Sequence, residues 1–105
     1  MAEIEEAIRR ITSHSGVSGV LVLNQDGIPI KAWKIDSEKA VHYAAVFSPL
    51  IPKAQQLLSS CDSSSSSVSE LSLIRLRTEK NEIIIAPDVQ TGYVMLVIQD
   101  TEVLS

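Results

Sequence analysis

Gly16–Ile30 reads GVSGVLVLNQDGIPI, an almost unbroken apolar run that stops at Asp26-Gly27 and resumes as Ile28-Pro29-Ile30. Asn24-Gln25-Asp26-Gly27 joins residues that tolerate positive φ to a glycine that prefers it, the chemistry of a tight hairpin. The run Val17–Leu23 does not alternate apolar with polar. Val20 and Val22 fall on one face, and Val17, Leu21 and Leu23 on the other, so both faces need covering. A strand buried on both sides in a chain of 105 residues implies helices above and below one sheet.

Upstream, residues 2–12 form an amphipathic helix with Ile4, Ala7, Ile8 and Ile11 on one face. Glu5/Arg9 and Glu6/Arg10 are i, i+4 pairs in the favourable acid-first order, worth roughly 0.2–0.5 kcal/mol each. So short a helix is marginal alone, and its isoleucine stripe must dock on the sheet. Strands follow over about Val17–Leu23 and Ile28–Trp33. Asp36-Ser37 then caps a long second helix beginning near Glu38.

That second helix carries two apolar stripes. Ala40, Ala44, Phe47, Ile51, Ala54 and Leu58 make one; Tyr43, Val46, Leu50 and Leu57 widen it to nearly half the circumference. One sheet face does not need so broad a cover, and the surplus implies a second subunit. Pro49 and Pro52 each remove a helical hydrogen bond, but the periodicity continues across them, so a single kinked rod is expected.

Residues 59–69, SSCDSSSSSVS, are low complexity and read as a flexible loop. Three strands follow: Glu70–Thr78, then Glu82–Ala86 after the turn Glu79-Lys80-Asn81, then Tyr93–Gln99. The last is apolar on both faces and belongs in the centre beside the first strand. Strand 70–78, with Arg75 and Arg77, is the natural edge. The order is α-β-β-α-β-β-β, an α+β single domain over residues 1–105.

Composition narrows the function. A net charge of −4 argues against nucleic acid, because phosphate binding needs a positive field. Aromatic residues are only 4% of the chain, so the core is aliphatic. The lone Cys61 builds no disulfide framework, and the acidic N-terminus lacks the signature of a signal peptide, which points to a reducing compartment. No apolar run approaches the roughly 20 residues of a membrane span, so no membrane partner is expected.

Catalytic ingredients are few. His14 and His42 show no metal-ligand spacing with each other or with Cys61. His14 lies beside Ser13 and Ser15 without an orienting acid, and reads as a solvated loop residue. Gly16, Gly19, Gly27 and Gly92 never cluster as a phosphate loop requires; Gly16 fits a turn and Gly19 a close helix–strand approach. Glu79 and Glu82 read as exposed turn carboxylates. No enzyme, metal or cofactor is expected.

The stretches AEIEEAIRRI, GVSGVLVLNQDGIPIK, LIRLRTEKNEIIIAPD and YVMLVIQD together resemble the roadblock family of dynein light chains, over nearly the full length. The resemblance implies a roadblock/longin-like fold, a five-stranded antiparallel sheet sandwiched by helices. It also implies a dimer in which second helices pack together and third strands pair into one continuous ten-stranded sheet. The dimer interface would then involve Tyr43, Phe47, Leu50, Ala54 and Leu57 on the helix, with Leu71, Leu73, Arg75 and Arg77 on the strand.

The implied partners are a second copy or another roadblock-type chain, and the dynein intermediate chain. The implied setting is the cytoplasm and cytoskeleton, or a ciliary or flagellar axoneme. Other members of the superfamily act as scaffolds or regulators of Ras-like small GTPases, the alternative role; NQDGIPIK and KNEIIIAPD look like the dynein branch. Two features depart from the family pattern: the prolines in the dimerisation helix, which make a paralogue plausible as partner, and the long serine loop.

Overall fold

A computed structural model describes residues 2–61, 71–88 and 90–100. In chain order the elements are α1 (Ala2–Thr12), β1 (Val17–Leu23), β2 (Pro29–Trp33), α2 (Ser37–Phe47), α3 (Leu50–Cys61), β3 (Ile74–Arg77), β4 (Asn81–Pro87) and β5 (Val94–Asp100). The strands form one antiparallel sheet in the order β2-β1-β5-β4-β3. The fold class is the expected one, with β5 beside β1 and β3 at an edge.

The double-sided burial of β1 organises everything else. Val20, Leu21, Val22 and Leu23 are each at most 1% exposed. Burying each such side chain contributes about 1.5–3 kcal/mol. Val20 and Val22 pack with Ile8 of α1, supported by Ile4, Ile11, Trp33 and Met95. Leu21 and Leu23 pack on the other face with Ala40 and Ala44 of α2, Ile85 of β4 and Leu96 of β5. The small alanines let α2 lie close to the sheet.

Val17 departs from the expected alternation. It joins the Val20/Val22 cluster rather than the Leu21/Leu23 face. The cause is an irregularity in the β1–β5 register between Val17 and Gly19, which adds a residue and flips the side-chain parity. Gly19 lies at a close approach, but to the segment leading into α2. A Cβ there would lie 2.7 Å from Ile35 Cγ1, so the neighbour is not a helix.

The β1–β2 hairpin uses the expected residues. The Gly27 N–H donates to the Asn24 carbonyl at 3.0 Å. The Asn24 side-chain oxygen accepts from the Asp26 and Ile28 N–H groups at 2.9 and 3.0 Å. Of the turn residues only Gly27 takes positive φ, at 79°. Lys34, after β2, also takes a left-handed φ of 59°, which costs a non-glycine residue energy.

Several expected boundaries are corrected. Asp36 caps α2 as anticipated, its carboxylate accepting from the Lys39 N–H at 2.8 Å. The kinked rod, however, is two helices. Ser48 is still helical and donates to the Ala44 carbonyl at 3.0 Å, but α2 ends there and α3 restarts at Leu50. Pro49 occupies the junction and Pro52 the first turn of α3, where a helix has no internal partner for an N–H. The break removes the cost of an interior proline.

The serine-rich segment begins later than expected, because Ser59, Ser60 and Cys61 complete α3; the Ser59 and Ser60 hydroxyls donate back to the Gln55 and Gln56 carbonyls. The remainder of that loop lies outside the described residues. The third strand is shorter than 70–78: Leu71 and Leu73 precede it. Glu5 pairs with Lys31 of β2 at 3.0 Å rather than along its own helix, which ties α1 to the sheet edge.

Candidate dimerisation surface

The side of the molecule formed by α3 and β3 is the least finished. α3 contains no buried residue. Leu57 is 68% exposed, and Val46, Leu58, Leu73 and Leu76 are also exposed. β3 is hydrogen-bonded to β4 on one side and to no other strand of this chain among the described residues. The Thr78 N–H donates to the Asn81 carbonyl at 2.8 Å. In an antiparallel ladder bonded pairs alternate, so the backbone N–H and C=O groups of Arg75 and Arg77 turn to the open side.

The nine residues drawn from the sequence divide into four groups. Tyr43, Phe47 and Leu50 are half-buried and pack chiefly into their own α2-side core, with the Tyr43 and Phe47 rings 6.0 Å apart. Ala54 is half-buried, and Leu57 is the most exposed large apolar residue on α3. Leu71 donates its N–H to the Gln55 side chain at 2.8 Å, which anchors the approach to β3 on α3; Leu73 is exposed. Neither leucine is in the strand, so both are corrected to the segment preceding it.

Arg75 and Arg77 do lie in β3, on the opposite sheet face from Ile74 and Leu76. Arg75 Nη2 meets Glu82 Oε1 at 2.6 Å. Glu82 is thereby corrected from an exposed turn carboxylate to a buried one, 4% exposed, inside β4. A buried carboxylate needs such a partner. Sequence reasoning passed over Leu76, although its i+2 spacing from Ile74 is the available signal. Val46 and Leu58, also exposed, are not among the nine.

No catalytic arrangement gathers among the described residues. His14, His42 and Cys61 are exposed, and no three His, Cys, Asp or Glu side chains cluster for a metal. A groove of about 310 Å³ runs between Ile4 and Ala7 of α1 and Pro87, Tyr93 and Met95. A second, of about 410 Å³, lies between the α2–α3 junction and the Asn24 and Asp88 turns. The Asp88 carboxylate there is engaged by the Gln90 N–H and the Thr91 hydroxyl at 3.1 and 3.0 Å. No described helix is long and apolar enough to cross a membrane.

Comparison with known proteins agrees with this frame. The sequence profile of the Roadblock/LC7 domain matches residues 3–100. The fold is similar to the crystal structure of a Roadblock/LC7 domain from Streptomyces avermitilis, with a TM-score of 0.67 at 16% identity, covering 83% of this chain and 68% of that one. It is also similar to Myxococcus xanthus MglB, with a TM-score of 0.72 at 14% identity, covering 89% of this chain and 72% of that one.

Proposed function

This chain belongs to the Roadblock/LC7 domain family, and from that premise we propose that it is a non-catalytic, dimeric light chain of a dynein motor. It binds intermediate chains and holds them together, in microtubule-based transport or ciliary motility. Domains of this family commonly dimerise and partner with other proteins. The observation that carries the reading is the open edge of β3 beside an α3 without a buried residue. Those two features complete each other if a second roadblock-type chain, identical or related, lays its own β3 against this one and covers Leu57 and Leu76. The dynein assignment draws on the NQDGIPIK and KNEIIIAPD stretches, and it places the protein in the cytoplasm and cytoskeleton, or in an axoneme.

The alternative is a scaffold or regulator of a Ras-like small GTPase. Two bacterial proteins carry the same frame, and a motor-specific role does not require that. Two measurements test the proposal. Sedimentation equilibrium on the purified chain should give a dimer; a stable monomer at high concentration removes the premise. Affinity purification of the tagged full chain from its own cells should recover intermediate chains, whereas recovery of a small GTPase in their place selects the alternative.

A further inference from the structure

The half of the sheet that α1 does not reach carries a positive charge that no described carboxylate pairs, at Arg77. Register fixes which residues share that face. Arg75 stands opposite Ile84 and Arg77 opposite Glu82. Ile84 stands beside Val97 and Glu82 beside Gln99, and Val97 stands beside Val20. Val20 packs under α1, so the whole row from Arg75 to Val20 lies on the α1 side. Yet the α1-side apolar cluster draws on β1, β2 and β5 and on no residue of β3 or β4.

Beyond that cluster lie half-buried Ile84 and the two arginines. Glu82 takes Arg75, whose side chain stays 59% exposed. Arg77 is exposed, and no described carboxylate is in salt-bridge reach of it.

We propose that the Arg75–Arg77 strip, doubled across the dimer axis, seats an extended acidic segment of the partner protein. The inference rests on the β3–β3 pairing proposed above. Antiparallel pairing of a strand with its own copy preserves the two faces. Arg75 and Arg77 of one copy therefore adjoin only α1-side residues of the other. Four guanidinium groups and two Glu82 carboxylates gather in one band between the two α1 helices.

Like charges on neighbouring strands repel, and an incoming carboxylate relieves that repulsion with bidentate hydrogen bonds. Alternate residues of an extended chain recur about every 6.8 Å, the same period that separates Arg75 from Arg77. An acid-x-acid pattern thus matches both guanidiniums at once, while Ile84 offers apolar contact beside them. The chain as a whole carries −4, so an acidic segment is repelled elsewhere and held only where this strip reverses the local sign.

The test uses the full chain and two labelled ten-residue peptides, one alternating Glu and Ala and the other Lys and Ala. Binding is read by fluorescence anisotropy, and sedimentation velocity on the same samples reads the oligomer. The Glu peptide should bind and the Lys peptide should not, with affinity falling at least tenfold between 50 and 300 mM salt. Arg77→Gln should weaken binding at least fivefold and Arg77→Glu should abolish it, whereas Lys31→Gln on the opposite edge should leave it unchanged.

Equal binding of both peptides overturns the inference, as does full affinity in a dimeric Arg77→Gln protein. A dimer that ignores the Glu peptide overturns the acidic-segment inference alone and leaves the dimeric scaffold standing. A monomer that binds it through Arg77 overturns the doubled strip together with the scaffold reading. If Arg77→Glu fails to fold, the Arg77→Gln result and the chemical-shift map around residues 75–84 decide.

Discussion

β1 and β3 are strands of the same sheet, the first almost wholly apolar and the second alternating Ile74 and Leu76 with Arg75 and Arg77, and while Val20–Leu23 of β1 are at most 1% exposed, no residue of β3 is buried. The difference lies in their neighbours. β1 has β2 and β5 at its sides, α1 on one face and α2 on the other. β3 has β4 on one side, and Ile74 is its only residue in an apolar cluster. The centre is complete within one chain, whereas the β3 flank is the part that the proposed pairing with a second chain would complete. On that proposal, stability and function fall at different ends of one sheet.

The largest effect that can break this contrast comes from matched leucine truncations. Leu21→Ala should cost about 3–4 kcal/mol, because a fully buried side chain leaves a cavity between packed layers. Leu57→Ala should change the intrinsic stability of the fold by less than about 0.5 kcal/mol, since an exposed side chain loses little. Its effect should instead appear as a weaker dimer. Urea unfolding at several protein concentrations separates the two, because only the Leu57→Ala loss should grow with concentration. Equal losses at every concentration would mean that the flank is as self-contained as the centre.

A smaller effect tests the ion pair of the flank. Glu82→Gln keeps the shape but removes the charge that Arg75 meets at 2.6 Å. Charge-assisted hydrogen bonds of this kind contribute about 1.5–3 kcal/mol. Because Arg75 is largely exposed, its charge returns to water, and a loss of about 1–2 kcal/mol is expected. Hydrogen exchange should show the Leu76 and Thr78 amides, which face β4, opening sooner, with the β1 amides unchanged. Uniform acceleration across the sheet would mean that the pair supports the whole fold and not the edge alone.

The same contrast explains what was legible in the sequence. Val17–Leu23 and Tyr93–Gln99 announce central strands because burial on both faces confines polar residues to the strand ends, at Ser18 and Gln99. The hairpin was legible because Gly27 alone supplies the required φ of 79°. The flank was harder. Periodicity through Pro49 and Pro52 continues across a helix break, since the two pieces keep related apolar faces; only the missing N–H groups mark the junction. Glu82 looked like a turn residue because burial of a carboxylate depends on a partner seven positions away. Leu71 and Leu73 alternate with Ser72 and so read as more strand, but the ladder with β4 begins only at Ile74, where the apolar parity switches. Nothing in the sequence marks the Val17 bulge, which arises from β1–β5 register.

Lys34 offers a milder perturbation at the other edge. Its φ of 59° suits glycine, although the ammonium lies 5.0 Å from the Trp33 ring centroid. Relief of left-handed strain is worth about 1–2 kcal/mol. Glycine's greater freedom in the unfolded chain returns about 0.5–1 kcal/mol of that, and the exposed cation–π contact contributes about 0.5–1 kcal/mol. Lys34→Gly should therefore stay within about 0.5 kcal/mol of the parent chain by thermal unfolding. Lys34→Ala, which loses the contact and keeps the strain, should be the less stable variant. The reverse ranking would show that backbone strain at the β2 edge is not a significant cost.

The smallest effect concerns the Glu5–Lys31 pair, which fastens α1 to the β2 edge at 3.0 Å. The hydrogen bond from Lys31, followed by its charge, holds the Glu5 carboxyl below the ordinary glutamate range. A carboxyl whose folded pKa lies below its unfolded value stabilises the fold above the unfolded value. That contribution disappears as the pH falls through the folded one. Glu5→Gln should therefore lower the melting temperature slightly at neutral pH and leave it unchanged once Glu5 is protonated in both states. Both residues are well exposed, so high salt should erase the neutral-pH difference as acid does. If the difference survives in high salt, the short Lys31–Glu5 hydrogen bond, which salt does not screen, carries the attachment of α1 in place of charge attraction.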